Sequence, residues 1–303
     1  MAIWVTGCGR TVPATQSTLM QVDWKKMDLP ELPDAVQVWE GEDEDLPLKA
    51  WFVKVDPKSD QIDIKVHSSS DADGRQSAVD FALQQNACVV VNGGYFKEEK
   101  DLYSHIGLLL ADGKYVHAAT PGVFVDGVRY PVTRSAIGFS DTNVPEIAWV
   151  STLDGTVFKW DTPLSNAPGI PADQTGDSLA FSTWQVRDAI EAGPMLLEAG
   201  SPRITVNEEV FFGTTIPEVH PRTAVGIDKE GRLILMIVDG RQRNSRGLSL
   251  AELAGLMQAV GAVKAMNLDG GGSSTLIVGG KLINLPTGGT FQREIVSAIG
   301  IHC

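Results

Sequence analysis

Asp269-Gly270-Gly271-Gly272-Ser273-Ser274 sets three consecutive glycines between two apolar runs, Ala265–Leu268 before it and Thr275–Val278 after it. A run without side chains has neither helix nor strand propensity, so one strand must end here and another begin. Three glycines also let backbone approach a ligand closely and point successive N–H groups into one concavity, a nest that suits anions and phosphate above all. Ser273 and Ser274 add hydroxyl donors, and Asp269 adds a carboxylate at the strand end. A purely structural turn has the same sequence, but strand-end loops are where ligands commonly bind.

The flanking segments read as strands and helices in alternation. Arg222–Asp228 and Arg232–Asp239 form two strands around Lys229-Glu230-Gly231. Ser249-Leu250-Ala251-Glu252 is a capping box that opens a helix. Its apolar stripe is Leu250, Leu253, Leu256, Met257 and Val260, with Gly261 as C-cap. Thr275–Val278 and Lys281–Asn284 form a hairpin across Gly279-Gly280. Upstream, Trp51–Val55 and Ile62–Val66 read as strands, and Ser77–Gln85 as a helix with Ser77 and Asp80 as its capping pair. Ala87–Val91 is a buried strand that stops at Asn92-Gly93-Gly94. Residues 106–160 are a series of short strands, and Pro163–Asp177 is a long loop of the kind that covers a site. The expected fold class is α+β: a single large domain with a mixed β-sheet flanked by helices. Residues 1–48, with Pro30, Pro33, Pro47 and the acidic run Glu40–Asp45, are expected to be an extended tether, and residues 49–303 the folded domain.

The formal charge of −13 argues against nucleic acid or an anionic membrane surface as the general partner. That charge is uneven. Residues 201–303 carry ten Lys/Arg against nine Asp/Glu, so the excess of acid lies in the first two thirds. The three cysteines, Cys8, Cys88 and Cys303, have no metal-ligand spacing. Cys88 sits in Ala87-Cys88-Val89-Val90-Val91 and reads as a buried core thiol. Val5-Thr6-Gly7-Cys8 has the shape of a bacterial lipobox, so Cys8 is a candidate membrane tether, although few residues precede it. No apolar run reaches the roughly eighteen residues a membrane-spanning helix needs.

The arginines of the C-terminal third are the natural partners for an anion beside the glycines. Arg222, in His220-Pro221-Arg222-Thr223, supplies a planar fork suited to phosphate. Arg241, Arg243, Arg246 and Arg293 lie in neighbouring loops. Taken singly each is an ordinary surface charge; the cluster favours a ligand for Arg222. His105, His117 and His220 share no ligand-like spacing, so a catalytic zinc is not expected and no cofactor is required. Asp239 and Asp269 remain candidates for Ca²⁺.

Together these motifs resemble the phosphodiester glycosidase family. The resemblance runs through Val91-Asn92-Gly93-Gly94-Tyr95-Phe96 and Ala192-Gly193-Pro194-Met195-Leu196-Leu197. It continues through Pro221–Asp228, Val238-Asp239-Gly240-Arg241 and Met266–Ser274, covering about residues 50–303. It implies hydrolysis of a sugar-1-phosphodiester, in bacteria on a cell-wall or capsular glycopolymer outside the cytoplasm, by a secreted or lipid-anchored enzyme. The implied partner is a phosphorylated glycan or a sugar-nucleotide-like small molecule. The implied catalytic residues are Asp269, Asp239 and Arg222, with Glu191 a weaker candidate because it precedes its motif. Asn92, Gly93, Asn267, Gly270, Gly271, Gly272, Ser273 and Ser274 are the implied binding residues. Two other readings stay open: a metal-dependent phosphodiesterase cutting P–O, and a non-catalytic glycan-binding envelope protein.

Overall fold

The structure, a computed structural model, describes residues 20–43, 45–173, 180–289 and 292–303. Of these, 44% lie in strands and 8% in helices, in a β-rich fold with a curled half-barrel sheet. The α+β expectation of a mixed sheet flanked by helices is therefore corrected. Among the described residues there are two α-helices, and the paired strands run antiparallel throughout.

Three sheets carry the fold. The largest has eight strands in the order Asp23–Lys26, Val36–Asp43, Leu48–Val55, Leu233–Val238, Arg222–Asp228, Ala262–Asn267, Met195–Glu198 and Ser201–Pro202. A five-stranded sheet runs Lys281–Leu282, Leu276–Val278, Val89–Asn92, Ser297–His302 and Asp63–Ser68. A seven-stranded sheet is built from segments of 109–160 and 181–191. Their inner faces share one core: Val53, Val225, Leu235 and Met266 from the first sheet, Ile64, Val91 and Ile299 from the second, Ile137, Trp149 and Ile190 from the third.

The two helices cover outer faces. Helix α1, Ala78–Gln85, lays Ala78, Phe81 and Ala82 on Val90, Ile277 and Ala298. Helix α2, Leu250–Ala259, lays Leu253, Ala254 and Met257 against Ala224, Met236 and Ala265. Successive residues of the strands beneath them point to opposite faces, and both faces are apolar-packed. That is why Val89-Val90-Val91 and Leu233–Val238 are unbroken apolar runs. Such runs joined by a helix normally signal parallel β-α-β units. Here each crossover spans an intruding antiparallel strand. Ser297–His302 lies between Asp63–Ser68 and Val89–Asn92, and Arg222–Asp228 between Leu233–Val238 and Ala262–Asn267. The intruders come from far away in sequence, or from before the unit they enter, which is what local pattern reading misses.

The helix ends follow the sequence expectation. Ser77 accepts from the Asp80 N–H, and Ser249 with Glu252 forms the full capping box. The ordered fold starts earlier than Lys49. Val36–Asp43 pairs with Leu48–Val55 along its whole length, from Val36 opposite Val55 to Asp43 opposite Leu48. The prolines at 30, 33 and 47 punctuate hairpins rather than a tether. Cys8 lies outside the described residues. In the loop after Pro163, Asn166 is buried and its Nδ2 donates to Pro131 O and Glu208 O, at 2.8 and 2.9 Å, so its described part is pinned to the body; residues 174–177 of the expected loop lie outside the described residues. No helix of the described residues is long and apolar enough to cross a membrane.

Cys88 is not a free thiol. The pairing of Ile301 with Val89 brings Cys303 beside it, and the two form a disulfide across 215 residues. Closing so long a loop restricts the unfolded chain. Cys303→Ser is expected to lower unfolding free energy by about 2–4 kcal/mol, measured by denaturant melts without reductant. Equal midpoints for variant and wild type would contradict the bridge.

Candidate active site

Two strands from different sheets end in asparagine at the same edge of the molecule. Asn92 closes Val89–Asn92, and Asn267 closes Ala262–Asn267. The Asn92 carboxamide spends its capacity on the seam between the sheets. Its Nδ2 donates to Asp269 O at 2.7 Å and Gly93 O at 3.3 Å. Its Oδ1 accepts from Thr223 Oγ1 at 2.6 Å and Thr275 N at 3.2 Å. Gly93 O in turn accepts from Asp269 N at 3.1 Å. A Cβ on Gly93 would lie 2.4 Å from Ile190 Cδ1, so no larger residue fits this crossing. Asn92 and Gly93 were both expected to bind ligand, and both lie in the seam behind the cavity rather than lining it.

The three glycines differ from the open nest that their sequence suggests. Gly271–Ser273 is a single 3-10 turn whose donors are largely spent inside the loop. Gly270 N donates to Asp269 Oδ1 at 2.9 Å, Gly271 N to Pro221 O at 2.9 Å and Ser273 N to Gly270 O at 3.2 Å. Ser274 N donates to Gly271 O at 3.3 Å. Glycine is required for close approach: a Cβ on Gly270 would sit 2.8 Å from Pro221 O, and Gly271 has φ +63°. Ser273 and Ser274 are fully buried.

Gly270, Gly271 and Gly272 form one wall of a cavity of about 160 Å³. Asp269, Asn267 and Tyr95 line it from the strand ends, Thr215 and Ile216 from the preceding loop, and His220, Arg222, Arg241 and Arg293 complete it. Three guanidinium groups thus face a single carboxylate in a chain of net charge −13. Among the described residues, none of the three arginines forms a salt bridge with an acid. Arg222 is buried, donates through Nε to Leu248 O at 2.7 Å and through Nη2 to Glu218 O, and burial pulls its pKa down to about 10. Arg241 Nη2 donates to His220 Nδ1 at 3.1 Å, and His220 Nε2 donates to Thr215 O at 2.8 Å. The Arg293 guanidinium lies 5.0 Å from the centre of the Phe96 ring. Of five N–H groups per arginine, several remain for an anion.

Asp269 is partly buried where it meets the cavity. Burial raises its pKa to about 6, against the opposing pull of the Ser273 hydroxyl, the Arg293 charge and the Gly270 N–H. Tyr95 hydroxyl donates to Gly193 O at 2.8 Å, and burial, then the Asp269 charge, push its pKa far up, so it stays a neutral phenol. Close beside Gly193 lies Glu209, a fully buried carboxylate that accepts from Met195 N at 3.0 Å, Ser135 N at 2.9 Å and Trp149 Nε1 at 3.0 Å.

The other two carboxylates proposed from sequence sit elsewhere. Asp239 Oδ1 accepts from Asn284 Nδ2 at 2.8 Å, and the same nitrogen donates to Ser274 O at 2.8 Å, so Asp239 braces the hairpin that follows the glycines. Glu191 Oε2 accepts from Leu108 N at 2.9 Å and Thr120 N at 3.1 Å. Burial raises both pKa values. Neither residue lines the cavity. Tyr95, Arg241, Arg293, Thr215 and Ile216 do, without having been singled out as site residues; the signal for two of them was the arginine cluster. Among the described residues no group of three or more His, Cys, Asp or Glu could hold a metal ion. Of the two carboxylates considered for Ca²⁺, Asp269 lines the cavity and Asp239 is bonded to Asn284 outside its lining.

The pKa of Asp269, about 6, stands above that of an unfolded aspartate, about 3.9. The folded chain therefore holds the extra proton in this window and loses stability as pH rises through it. Asp269→Asn removes that loss. From pH 4 to pH 7, urea melts are expected to shift in favour of the variant relative to wild type by roughly 2–3 kcal/mol. A pH-independent difference would contradict the burial of this carboxylate.

Comparison with known proteins converges on one group. A family model described as phosphodiester glycosidase matches residues 85–302. A mouse N-acetylglucosamine-1-phosphodiester alpha-N-acetylglucosaminidase is 26% identical over 222 residues, covering 70% of this chain and 36% of that protein. The SPbeta prophage-derived uncharacterized protein YomE of Bacillus subtilis is 30% identical over 58% of this chain and 24% of its own length. The chain thus spans about a third or less of these relatives. Among solved structures, the zebrafish N-acetylglucosamine-1-phosphodiester alpha-N-acetylglucosaminidase catalytic domain, auto-inhibited by its pro-peptide, superposes with a TM-score of 0.61 at 22% identity, over 96% of this chain and 85% of that one. A hypothetical protein from Synechocystis gives a TM-score of 0.61 at 19% identity, over 93% and 68%. Those likenesses speak to the fold, and the family match extends over most of the chain: it belongs to the phosphodiester glycosidase family of hydrolases.

Proposed function

We propose that the cavity hydrolyses a sugar-1-phosphodiester, releasing an N-acetylglucosamine-like sugar by opening its C1–O bond. The observation that carries this reading is the set of three arginines without acidic partners around one half-desolvated carboxylate. The guanidinium groups of Arg222, Arg241 and Arg293 take the phosphate, whose non-bridging oxygens match their planar forks. Asp269 takes the sugar side. The leaving group is a phosphate monoester, a weak base that departs without a strong general acid. The site then has two tasks: hold the phosphate charge still, and stabilise or intercept the oxocarbenium-like carbon with the Asp269 carboxylate or the water it activates. Asp239 and Glu191 act through the frame that positions these groups.

The Cys88–Cys303 bridge supports an oxidising compartment, and with it an extracytoplasmic enzyme. Within that setting the substrate class is a phosphate-linked sugar of a bacterial envelope or capsular glycopolymer, as the sequence resemblance implies. The mouse and zebrafish relatives are named for release of N-acetylglucosamine from its 1-phosphodiester, which makes UDP-GlcNAc the first substrate to try.

Incubation with UDP-GlcNAc, with and without chelator, is expected to yield GlcNAc and UDP by mass. GlcNAc-1-phosphate with UMP would move the site to phosphodiesterase chemistry, and binding without turnover to a glycan-binding role. Asp269→Asn is expected to lose at least about 100-fold in kcat. Wild-type kcat/KM is expected to fall on the acid side of about pH 6 as Asp269 gains its proton. A rate that instead falls above that pH would make Asp269 the acid. Arg241→Ala is expected to lower kcat/KM roughly 10–100-fold, mostly through KM.

A further inference from the structure

The two strand-end asparagines look alike in sequence and differ in one atom's account. In Asn92 the carboxamide oxygen has two donors, Thr223 Oγ1 and Thr275 N. In Asn267 the carboxamide oxygen has none, although the residue is only 1% exposed. Its orientation is well determined. Nδ2 lies 2.6 Å from Leu268 O, 3.0 Å from Gly193 O and 2.9 Å from the Tyr95 hydroxyl oxygen. Tyr95 spends its own proton on Gly193 O, so its oxygen is free to accept. Rotating the amide would set Oδ1 against two carbonyl oxygens. The nitrogen is therefore committed inward to the frame, and Oδ1 is the atom left over in a residue that lines the cavity.

An unpaired acceptor in such a place is costly unless a ligand supplies a donor. The rest of the lining offers mostly the opposite polarity. Arg222, Arg241 and Arg293 donate, and Asp269 Oδ1 already receives the Gly270 N–H. We infer that Asn267 Oδ1 is a specificity-determining acceptor for a neutral N–H or O–H donor on the sugar, an acetamido N–H or a ring hydroxyl. This deepens the reading above and rests on it for the identity of the ligand. The phosphate end of the substrate meets donors, and the sugar end meets this acceptor. A site built to accept such a bond rejects the analogue that lacks the donor, because its own buried oxygen is then stranded.

The test deletes donors from the substrate instead of relying on one variant. UDP-GlcNAc is compared with UDP-2-deoxyglucose, which lacks the acetamido N–H, and with the 3-, 4- and 6-deoxy forms of UDP-GlcNAc. Wild type, Asn267→Ala and Asn143→Ala are assayed for kcat/KM. Asp269→Asn, with and without Asn267→Ala, is assayed for Kd by calorimetry. In wild type, one deletion is expected to cost roughly 10–100-fold, and which one it is identifies the donor. That cost is expected to shrink below about threefold in Asn267→Ala and to persist in Asn143→Ala, an asparagine whose amide bonds Ile62 O and Ile64 N away from the cavity. The inference is overturned if no deletion costs anything, if the cost survives unchanged in Asn267→Ala, or if none of these sugars binds. Should the sugars bind with this pattern but release no sugar, the hydrolase reading fails while the acceptor role stands. Should Asn267→Ala not fold, the calorimetric series on Asp269→Asn alone decides: equal Kd values across the deoxy series overturn the inference.

Discussion

The hydrogen-bonding capacity of one buried carboxamide holds this site together. Asn92 makes four hydrogen bonds, two donated and two accepted, and they reach Thr223 on one sheet, Thr275 on another and the backbone of Asp269 between them. A primary amide has two N–H donors and two lone pairs, so nothing is left over. The two sheets are free to splay at this edge without it, because their strands end here and no ladder joins them. The Asp269 wall of the cavity depends on this closure. The position of Asp269 follows from its backbone bonds to Asn92 and Gly93, and the glycine turn follows from Asp269.

Onto that frame the chain sets an electrostatic contrast. Three guanidinium groups and one carboxylate occupy a small cavity within a strongly acidic protein. Their charges are held at cost. Arg222 is desolvated enough for its pKa to fall to about 10, and Asp269 enough for its own to climb to about 6. In the proposed reaction both penalties fall when an anion with a sugar attached enters: the phosphate would balance the arginines, and the sugar would present to Asp269 the carbon on which positive charge develops. Preorganised charge of this kind lowers a barrier because it need not reorganise as the bond breaks. The nearby Glu209 cluster shows the complementary case, a buried carboxylate whose bonds all go to bracing Ser135, Trp149 and Met195.

Much of the site was legible from residue types and spacing, and the exceptions have physical causes. Arg222, Asn267, Asp269 and the three glycines do meet in one cavity, because a strand end, a turn and the start of a neighbouring strand are local features. Asp239, and more weakly Glu191, looked suitable in sequence, since a carboxylate near a glycine reads the same whether it faces a cavity or braces a hairpin. The three-glycine nest was legible as a close approach but not as a closed turn, because the Gly271 N–H is taken by Pro221 O, some fifty residues earlier, and the remaining donors then close within the loop. The architecture failed for the reason that misleads any local reading. Val89-Val90-Val91 and Leu233–Val238 are buried on both faces, as parallel strands are, and helices follow or precede them as in β-α-β units. Only the intruding strands Ser297–His302 and Arg222–Asp228 make these sheets antiparallel, and their intrusion leaves no mark in the segments they enter. The Cys88–Cys303 bridge was hidden in the same way, by a pairing of the last strand that no spacing announces.

The central claim is that the bond opened lies between C1 of the sugar and oxygen, with the phosphate held rather than attacked. Hydrolysis of UDP-GlcNAc in ¹⁸O-labelled water tests it directly, because GlcNAc and UDP form whichever side of the bridging oxygen is cut. C1–O cleavage leaves the bridging oxygen on the nucleotide, so the released UDP is expected to carry no label by mass. Label in the β-phosphate of UDP would mean that water attacked phosphorus, and would contradict the account.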